Sequence, residues 1–428
     1  MPKPSTRQPS PYAEALLIAA LAAIAVLARW AGWREKTDDM NIFFQWYNQM
    51  KANGGLQGLG TEIGNYNAPF LYCLWAVMHL PGPLILKIKA VWCVFDVLLA
   101  VFAYRVVALH RPGRRVPALA ALATVLLPTV VLNASLLGQV DAMWAAFALG
   151  GVYYLLRDRP WLGVALCGVS FAFKPQGVFI FPLLFVLALT GKIKWRTLLA
   201  VPAVFVALDL PAILLGRNPV ELLTIYGMGR QARNVDLLTH RAPSLYAFIP
   251  ENARSGSLRT VGYLLAAAVV LGVIFVLVVR AVEWTRPRLL LAAAFFALLM
   301  PYLLPGMHER YFYLADVLTL MLAFYRPRLW YVPVLVQAGS LLSYVEYLAA
   351  GSPRLLPLAV PATLMLAALL IIGYHLLSDA FADAPAEPAT PVTPIAGIAR
   401  LPLRRYPASV RHRSRRSSSP SRIRSRPN

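Results

Sequence analysis

The chain has 428 residues, 59% of them hydrophobic and 14% charged, with a mean hydropathy of +0.60. Soluble domains run at roughly 45–50% apolar and about 25% charged, so this composition excludes a soluble globular protein and indicates a polytopic, all-α membrane protein. The formal net charge of +22 does not indicate a nucleic-acid partner, because Lys and Arg fall in short loops between apolar runs and in a C-terminal tail, the placement typical of cytoplasmic loops.

In chain order, the basic stretch up to Arg7 is expected to stay in the cytoplasm, and the apolar run near Tyr12–Trp30 to lead outward. That run has no convincing small-residue cleavage site and reads as a retained anchor. Residues 31–83 form a long outer segment containing the stretch Thr37–Met50. At 3.6 residues per turn Ile42, Phe43, Trp46 and Met50 share one face, and Asn41, Gln45 and Asn48 another. Such a helix is expected to lie in the interface plane with its aromatics at headgroup depth. Asp38 and Asp39 stand at its N-terminus. One acid can cap the helix, which leaves the other free for chemistry; the structural alternative is that both cap. A Gly-rich turn follows at Asn53-Gly54-Gly55, then the polar-aromatic patch Gly64–Phe70. The run Leu71–Leu80 is too short to cross and is expected to be re-entrant or interfacial.

A full span covers about Leu84–Leu109 and ends at the basic loop Arg111–Arg115. Val116–Leu132 then leads out to a short turn, Asn133–Asp141, and Ala142–Leu156 returns to Arg157-Asp158-Arg159. Trp161–Leu189 read as one kinked helix would put two basic loops on opposite sides. Positive-inside therefore favours a hairpin of two short helices with Lys174-Pro175-Gln176 at its tip. Leu198–Leu215 leads to a second outer loop, 216–260, carrying Arg241. Further spans cover about Val261–Val279, Leu289–Leu304, Leu314–Tyr325, Leu329–Leu348 and Leu355–Leu377. The expected architecture is eleven to thirteen transmembrane helices over residues 1–377, followed by a disordered Pro/Ala- then Ser/Arg-rich cytoplasmic tail, residues 378–428. Cys73, Cys93 and Cys167 have neither CxxC nor His spacing, so neither a disulfide framework, a metal site nor a cofactor is expected.

This topology places Asp38, Asp39, Tyr66, Asn67, Gln139, Asp141, Lys174, Gln176, Arg241, His308, Glu309 and Arg310 at or near the outer face. Each has a structural alternative: Asp141 as a first-turn acid, Lys174 as a snorkelling stem, His308 as a neutral hydrogen-bonded ring. Ionisable groups in a membrane are costly enough that function is their default reading. A basic group with His beside a carboxylate suits transfer of a group carried on phosphate. Asp96, Asp209 and Asp316 lie inside apolar spans and read as structural contacts, with Arg105 or Lys174 as possible partners.

Asp39-Met40-Asn41-Ile42-Phe43-Phe44, Asn65-Tyr66-Asn67-Ala68-Pro69-Phe70, Gly138-Gln139-Val140-Asp141, Phe173-Lys174-Pro175-Gln176 and Met307-His308-Glu309-Arg310-Tyr311 together resemble the bacterial GT-C glycosyltransferases described as GPI-mannosyltransferase-like membrane proteins. Their order is also similar to that in the dolichol-pathway glucosyltransferases. The resemblance spans roughly residues 12–348 and departs from the common pattern at Ala68, where proline is usual, and at Arg310, where the eukaryotic relatives have Lys. It implies an inverting transfer of a hexose, mannose or glucose, from a polyprenyl-phosphate donor to a glycan, lipid or protein acceptor at the outer face of the inner or plasma membrane. It implies Asp39 as base with Asp38 as runner-up, His308 and Arg310 at the donor phosphate, and Lys174 and Gln176 on the donor-pocket wall. Glu309, Gln139, Asp141, Tyr66, Asn67 and Arg241 complete the set of substrate-binding candidates. A lipid or sugar transporter or flippase, and a non-catalytic membrane assembly factor, stay open as alternatives.

Overall fold

The computed structural model describes residues 11–227, 237–250, 256–349 and 356–382, so the basic tail beyond Ala382 lies outside the described residues. The first helix, α1 (Pro11–Gly32), hands the chain through a five-residue linker to α2 (Asp38–Ala52). A turn with Gly54 and Gly55 at positive φ (81° and 67°) leads to α3 (Ala68–Met78) and α4 (Leu84–Ala108). At 11 residues α3 is too short to cross, as expected.

The next run is not one straight span. Helix α5 (Arg115–Leu126) and the segment Pro128–Leu137, which opens with α6 (Pro128–Val131), meet at a 54° bend. Leu127, at φ −53° and ψ 127°, has left helical geometry because the pyrrolidine of Pro128 crowds the residue before it and brings no N–H to the ladder. A π turn over Leu132–Leu137 ends at Gly138, whose φ of 66° a side chain would disfavour, and the Cβ of any other residue there would strike Met40. The expected simple turn over Asn133–Asp141 is thus a distorted helical turn and a three-residue connection into α7 (Asp141–Leu156).

Helix α8 (Pro160–Phe173) packs on α7 through small residues: a Cβ at Gly151 would meet Cys167 Sγ, and one at Gly163 would meet Leu155. It stops at Lys174, which is extended (φ −156°, ψ 142°) because Pro175 follows. A 3-10 turn, Pro175–Ile180, folds back over α8 before α9 (Phe181–Leu189). Lys192 pairs with Asp158 at 2.7 Å, so the loops either side of this hairpin share one end of the molecule. Arg286 donates to the carbonyls of Leu156 and Leu109, and Arg111 to that of Phe324, which gathers the other basic loops at the same end.

Helices α10 (Ala200–Leu214), α11 (Pro219–Leu223), α12 (Gly256–Val279), α13 (Arg286–Leu303), α14 (Tyr313–Tyr325), α15 (Tyr331–Leu348) and α16 (Ala359–Ala382) complete the chain. The last continues past the expected boundary at Leu377 to Ala382, where an apolar stripe including Leu376 and Ala380 still finds buried positions. Helices α7, α13 and α14 are buried on almost every side and form the core, while α1, α10 and α12 present mostly exposed apolar side chains, as lipid-facing helices do. Among the described residues five helices are long and apolar enough to cross a membrane alone, and the bent pair taken as one span makes a sixth. Helices α4, α15, α7, α8, α9 and α14 carry the other apolar runs behind the expected eleven to thirteen passes, and none of them is both long and apolar enough alone. Two parallel two-residue strands, β1 (Thr239–His240) and β2 (Met307–His308), join the second long loop to the α13–α14 connection.

Helix α2 corrects the sequence reading. Its buried face is Met40, Phe43, Trp46, Tyr47 and Met50, while Ile42 is exposed. The aromatics pack against protein: Phe43 sits edge-on to Trp46 and Trp92, and Trp46 edge-on to Tyr66 and Phe70. Apolar surface on α3 and α4 was available to bury that face, which stabilises the helix more than an interface would. Neither acid is the N-cap. Thr37 takes that position without a side-chain cap and donates its hydroxyl to the Leu137 carbonyl instead, at 2.9 Å.

Candidate active site

At the other end of the molecule the first turn of α2, the N-terminus of α7, the Lys174 turn and the α13–α14 connection converge. Asp141 is fully buried and fully used. Its Oδ1 takes the Lys174 ammonium at 2.5 Å and the Trp144 indole N–H at 3.0 Å, and its Oδ2 takes the Asn133 amide at 2.8 Å. The Arg310 Nε lies 3.7 Å from the same Oδ2. A carboxylate so engaged is an anchor for cations.

Asp39 is in a different state. Its side chain is 21% exposed, the Gln139 amide and the Tyr347 hydroxyl (3.1 Å) both donate to Oδ2, and Arg310 Nη1 stands 3.8 Å from that atom. Among the described residues none hydrogen-bonds Oδ1. Asp38 is exposed and takes no part in this cluster.

Arg310 spends Nη1 on Glu309 Oε1 at 2.6 Å. Burial pushes the Glu309 carboxyl up, but the guanidinium and His308, whose Nδ1 is 3.7 Å from Oε2, outweigh it and hold the group at about 2. Burial likewise raises the Tyr66 phenol, and pushes that of Tyr311 to about 12, so both stay neutral donors. Lys174 lies 5.7 Å from both of these rings, in cation–π range.

The β1–β2 pair stacks His240 on His308, with centroids 4.4 Å apart and planes at 7°. Both line a cavity of about 430 Å³ with Gln176, Tyr311 and Arg259, walled on the apolar side by Val178, Phe179, Tyr263 and Leu304. His308 and Tyr311 face the cavity, while Arg310 between them reaches Asp39 and Asp141.

The structure therefore brings Asp39, Tyr66, Gln139, Asp141, Lys174, Gln176, His308, Glu309 and Arg310 into one region. It does not bring in Asp38, and Asn67 sits beside Asp209. Arg241 directs its guanidinium to the carbonyls of Glu346 (3.1 Å) and Tyr347 (3.3 Å), at the end of α15, from a backbone held at φ 58°. Cations suit a helix C-terminus, so this arginine caps a helix end where the sequence suggested substrate contact. Asp96 pairs with Arg29 at 2.9 Å, not with Arg105 or Lys174, and Asp316 takes the hydroxyls of Thr129 (2.9 Å) and Ser340 (3.0 Å). Tyr347, His240 and Arg259 are the site residues that sequence reasoning missed. Tyr347 and Arg259 lie at helix ends and His240 in the two-residue strand β1, all outside any motif.

A family model described as Glycosyltransferase family 87 matches residues 66–305, a region that includes Gln139, Asp141, Lys174 and Gln176 but neither Asp39 nor His308. Among solved structures the chain is similar to the crystal structure of ArnT from Cupriavidus metallidurans bound to undecaprenyl phosphate. The TM-score is 0.52 and the identity 15%, over 85% of this chain and 77% of that one, a likeness of fold: the GT-C membrane fold. No curated protein matches the chain by sequence.

Proposed function

Since the chain belongs to glycosyltransferase family 87, we propose that it moves a hexose, mannose or glucose, from a polyprenyl-phosphate donor to an acceptor hydroxyl at the outer face of the membrane. Membership sets the transporter and flippase alternative aside, and the ArnT structure, whose bound undecaprenyl phosphate belongs to that protein, supports a polyprenyl-phosphate ligand here.

Asp39 is the base in this reading. Its Oδ1 takes the proton of the acceptor hydroxyl, the oxygen attacks the anomeric carbon, and the lipid phosphate departs from the opposite face with inversion. Gln139 and Tyr347 hold Oδ2 and so aim Oδ1. The cavity beside His308 and Arg259 receives the donor phosphate, with Gln176 on its wall and the apolar side chains against the first isoprene units. Arg310 links the two halves, and Lys174 shares the Asp141 charge with it. The basic loops clustered at the far end support an outward-facing site by the positive-inside rule.

The observation that carries the reading is a part-exposed carboxylate whose Oδ1 no described residue hydrogen-bonds and whose Oδ2 lies 3.8 Å from the Arg310 guanidinium, in the same region as a polar-to-apolar cavity lined by the adjacent His308 and Tyr311. The test is donor turnover: purified protein in nanodiscs with a panel of polyprenyl-phosphate sugars and membrane extract as acceptor source. Consumption of one donor with an inverted product supports the proposal. No turnover of any member, with the protein folded, contradicts it and favours a non-catalytic assembly factor.

A further inference from the structure

Helix α4 carries a lysine that none of this chemistry uses. Lys89 is fully buried, and its ammonium donates to three main-chain carbonyls: Gly32 at 2.9 Å, Glu35 at 2.7 Å and Ser135 at 2.5 Å. Gly32 ends α1, Glu35 lies in the linker four residues before Asp39, and Ser135 lies in the π turn six residues before Asp141. An ammonium has three donors, so all of Lys89 is committed to tying these segments together. One turn further along the same face, Trp92 donates its indole N–H to the Gly138 carbonyl at 2.9 Å, just before Gln139. The linker and the π turn are also joined by the Thr37 hydroxyl, which donates to the Leu137 carbonyl.

A buried charge held by carbonyls alone is costly, and an apolar side chain would fill the same space without that cost. The arrangement makes sense as geometry. It fixes the two segments that deliver Asp39 and the Gln139–Asp141 pair against one rigid helix. We propose that Lys89, assisted by Trp92, is a positioning residue that sets the spacing between Asp39 and Gln139–Asp141. The proposal rests on Asp39 being the base.

The test compares Lys89→Met, which keeps the stem and removes the donors, with Trp92→Phe, which removes one donor and keeps a ring. The full chain is assayed in nanodiscs with undecaprenyl-phosphate mannose and undecaprenyl-phosphate glucose, beside Asp39→Asn and the Lys89→Met/Asp39→Asn double variant. Misplacing a catalytic group by about 1 Å costs up to roughly a hundredfold, so kcat is expected to fall about ten- to a hundredfold while donor KM stays within about twofold. Once Asp39 is lost, Lys89→Met should add no further loss, because its effect runs through that residue. A fall that multiplies equally on the Asp39→Asn background marks a merely structural lysine and overturns the proposal. So does an unchanged kcat in both α4 variants while Asp39→Asn is inactive. If Lys89→Met does not fold, Trp92→Phe decides by the same readouts, alone and combined with Asp39→Asn. Full turnover by Asp39→Asn overturns the base assignment first, and this inference with it.

Discussion

Tyr347 donates its hydroxyl to Asp39 Oδ2 at 3.1 Å, joining the last turn of α15 to the first turn of α2 across 308 positions of sequence. The tyrosine is itself seated by Arg241, whose guanidinium caps the same helix end. Tyr347→Phe keeps the ring and removes the bond. A neutral-to-charged hydrogen bond is worth about 1.5–3 kcal/mol, so kcat is expected to fall about tenfold or more with donor affinity intact. Steady-state kinetics at saturating donor measures this, and an unchanged kcat would show that Gln139 alone orients the carboxylate.

The Arg259 guanidinium and His308 face the cavity proposed for the donor phosphate. Arg259→Ala is expected to weaken donor binding about ten- to a hundredfold, the loss of one charge-assisted contact, and to change kcat less. Titration of the purified protein with undecaprenyl phosphate reads it. Equal affinity in wild type and variant would move the phosphate elsewhere.

Lys174 and Asp141 form a buried pair at 2.5 Å, with side chains 2% and 0% exposed. Lys174→Met leaves the carboxylate with the Arg310 guanidinium as its remaining cation, at 3.7 Å. Breaking a buried pair by removing one partner costs about 3–5 kcal/mol. Thermal unfolding in detergent should therefore show a lower midpoint for Lys174→Met than for wild type, and the double variant Lys174→Met/Asp141→Asn should recover part of it.

Glu309, held at about 2 in the folded chain against an ordinary value of 4.5, contributes a pH-dependent stability. A depressed carboxyl is stabilising above its unfolded value, and the contribution is lost as pH falls from about 4.5 towards 2. Wild type should lose melting temperature across that window relative to Glu309→Gln. Parallel curves through the acid window would contradict the buried pairing of Glu309 with Arg310.

Local chemistry in the sequence explains much of this fold. Pro175 ends α8 and Pro128 bends the preceding span, because each restricts the residue before it. The alternation of basic loops anticipates the α8–α9 hairpin that the Asp158–Lys192 pair joins. Periodicity alone did not define the buried face of α2. Ile42 and Met40, two residues and about 200° apart, lie on nearly opposite sides of the helix, and the aromatic wall of α3 and α4 that selects between them is distant in sequence. Asp96 shows the same limit, since its partner Arg29 lies 67 residues away on α1. Arg259 comes to the cavity from the first turn of α12, His240 through a two-residue strand pairing, and Tyr347 through the far end of α15. None of these carries a local signal.

The central claim, that Asp39 is the base, is tested most directly by measuring initial transfer rate and donor affinity for Asp39→Asn and Asp38→Asn in nanodiscs. Asn preserves the size and hydrogen bonding of Asp39 but cannot take the acceptor's proton, so the rate should fall about 10²–10⁴-fold with donor affinity unchanged. Asp38, exposed and outside the cluster, should tolerate the change within about twofold. Full turnover by Asp39→Asn, or an inactive Asp38→Asn beside an active Asp39→Asn, would contradict the account.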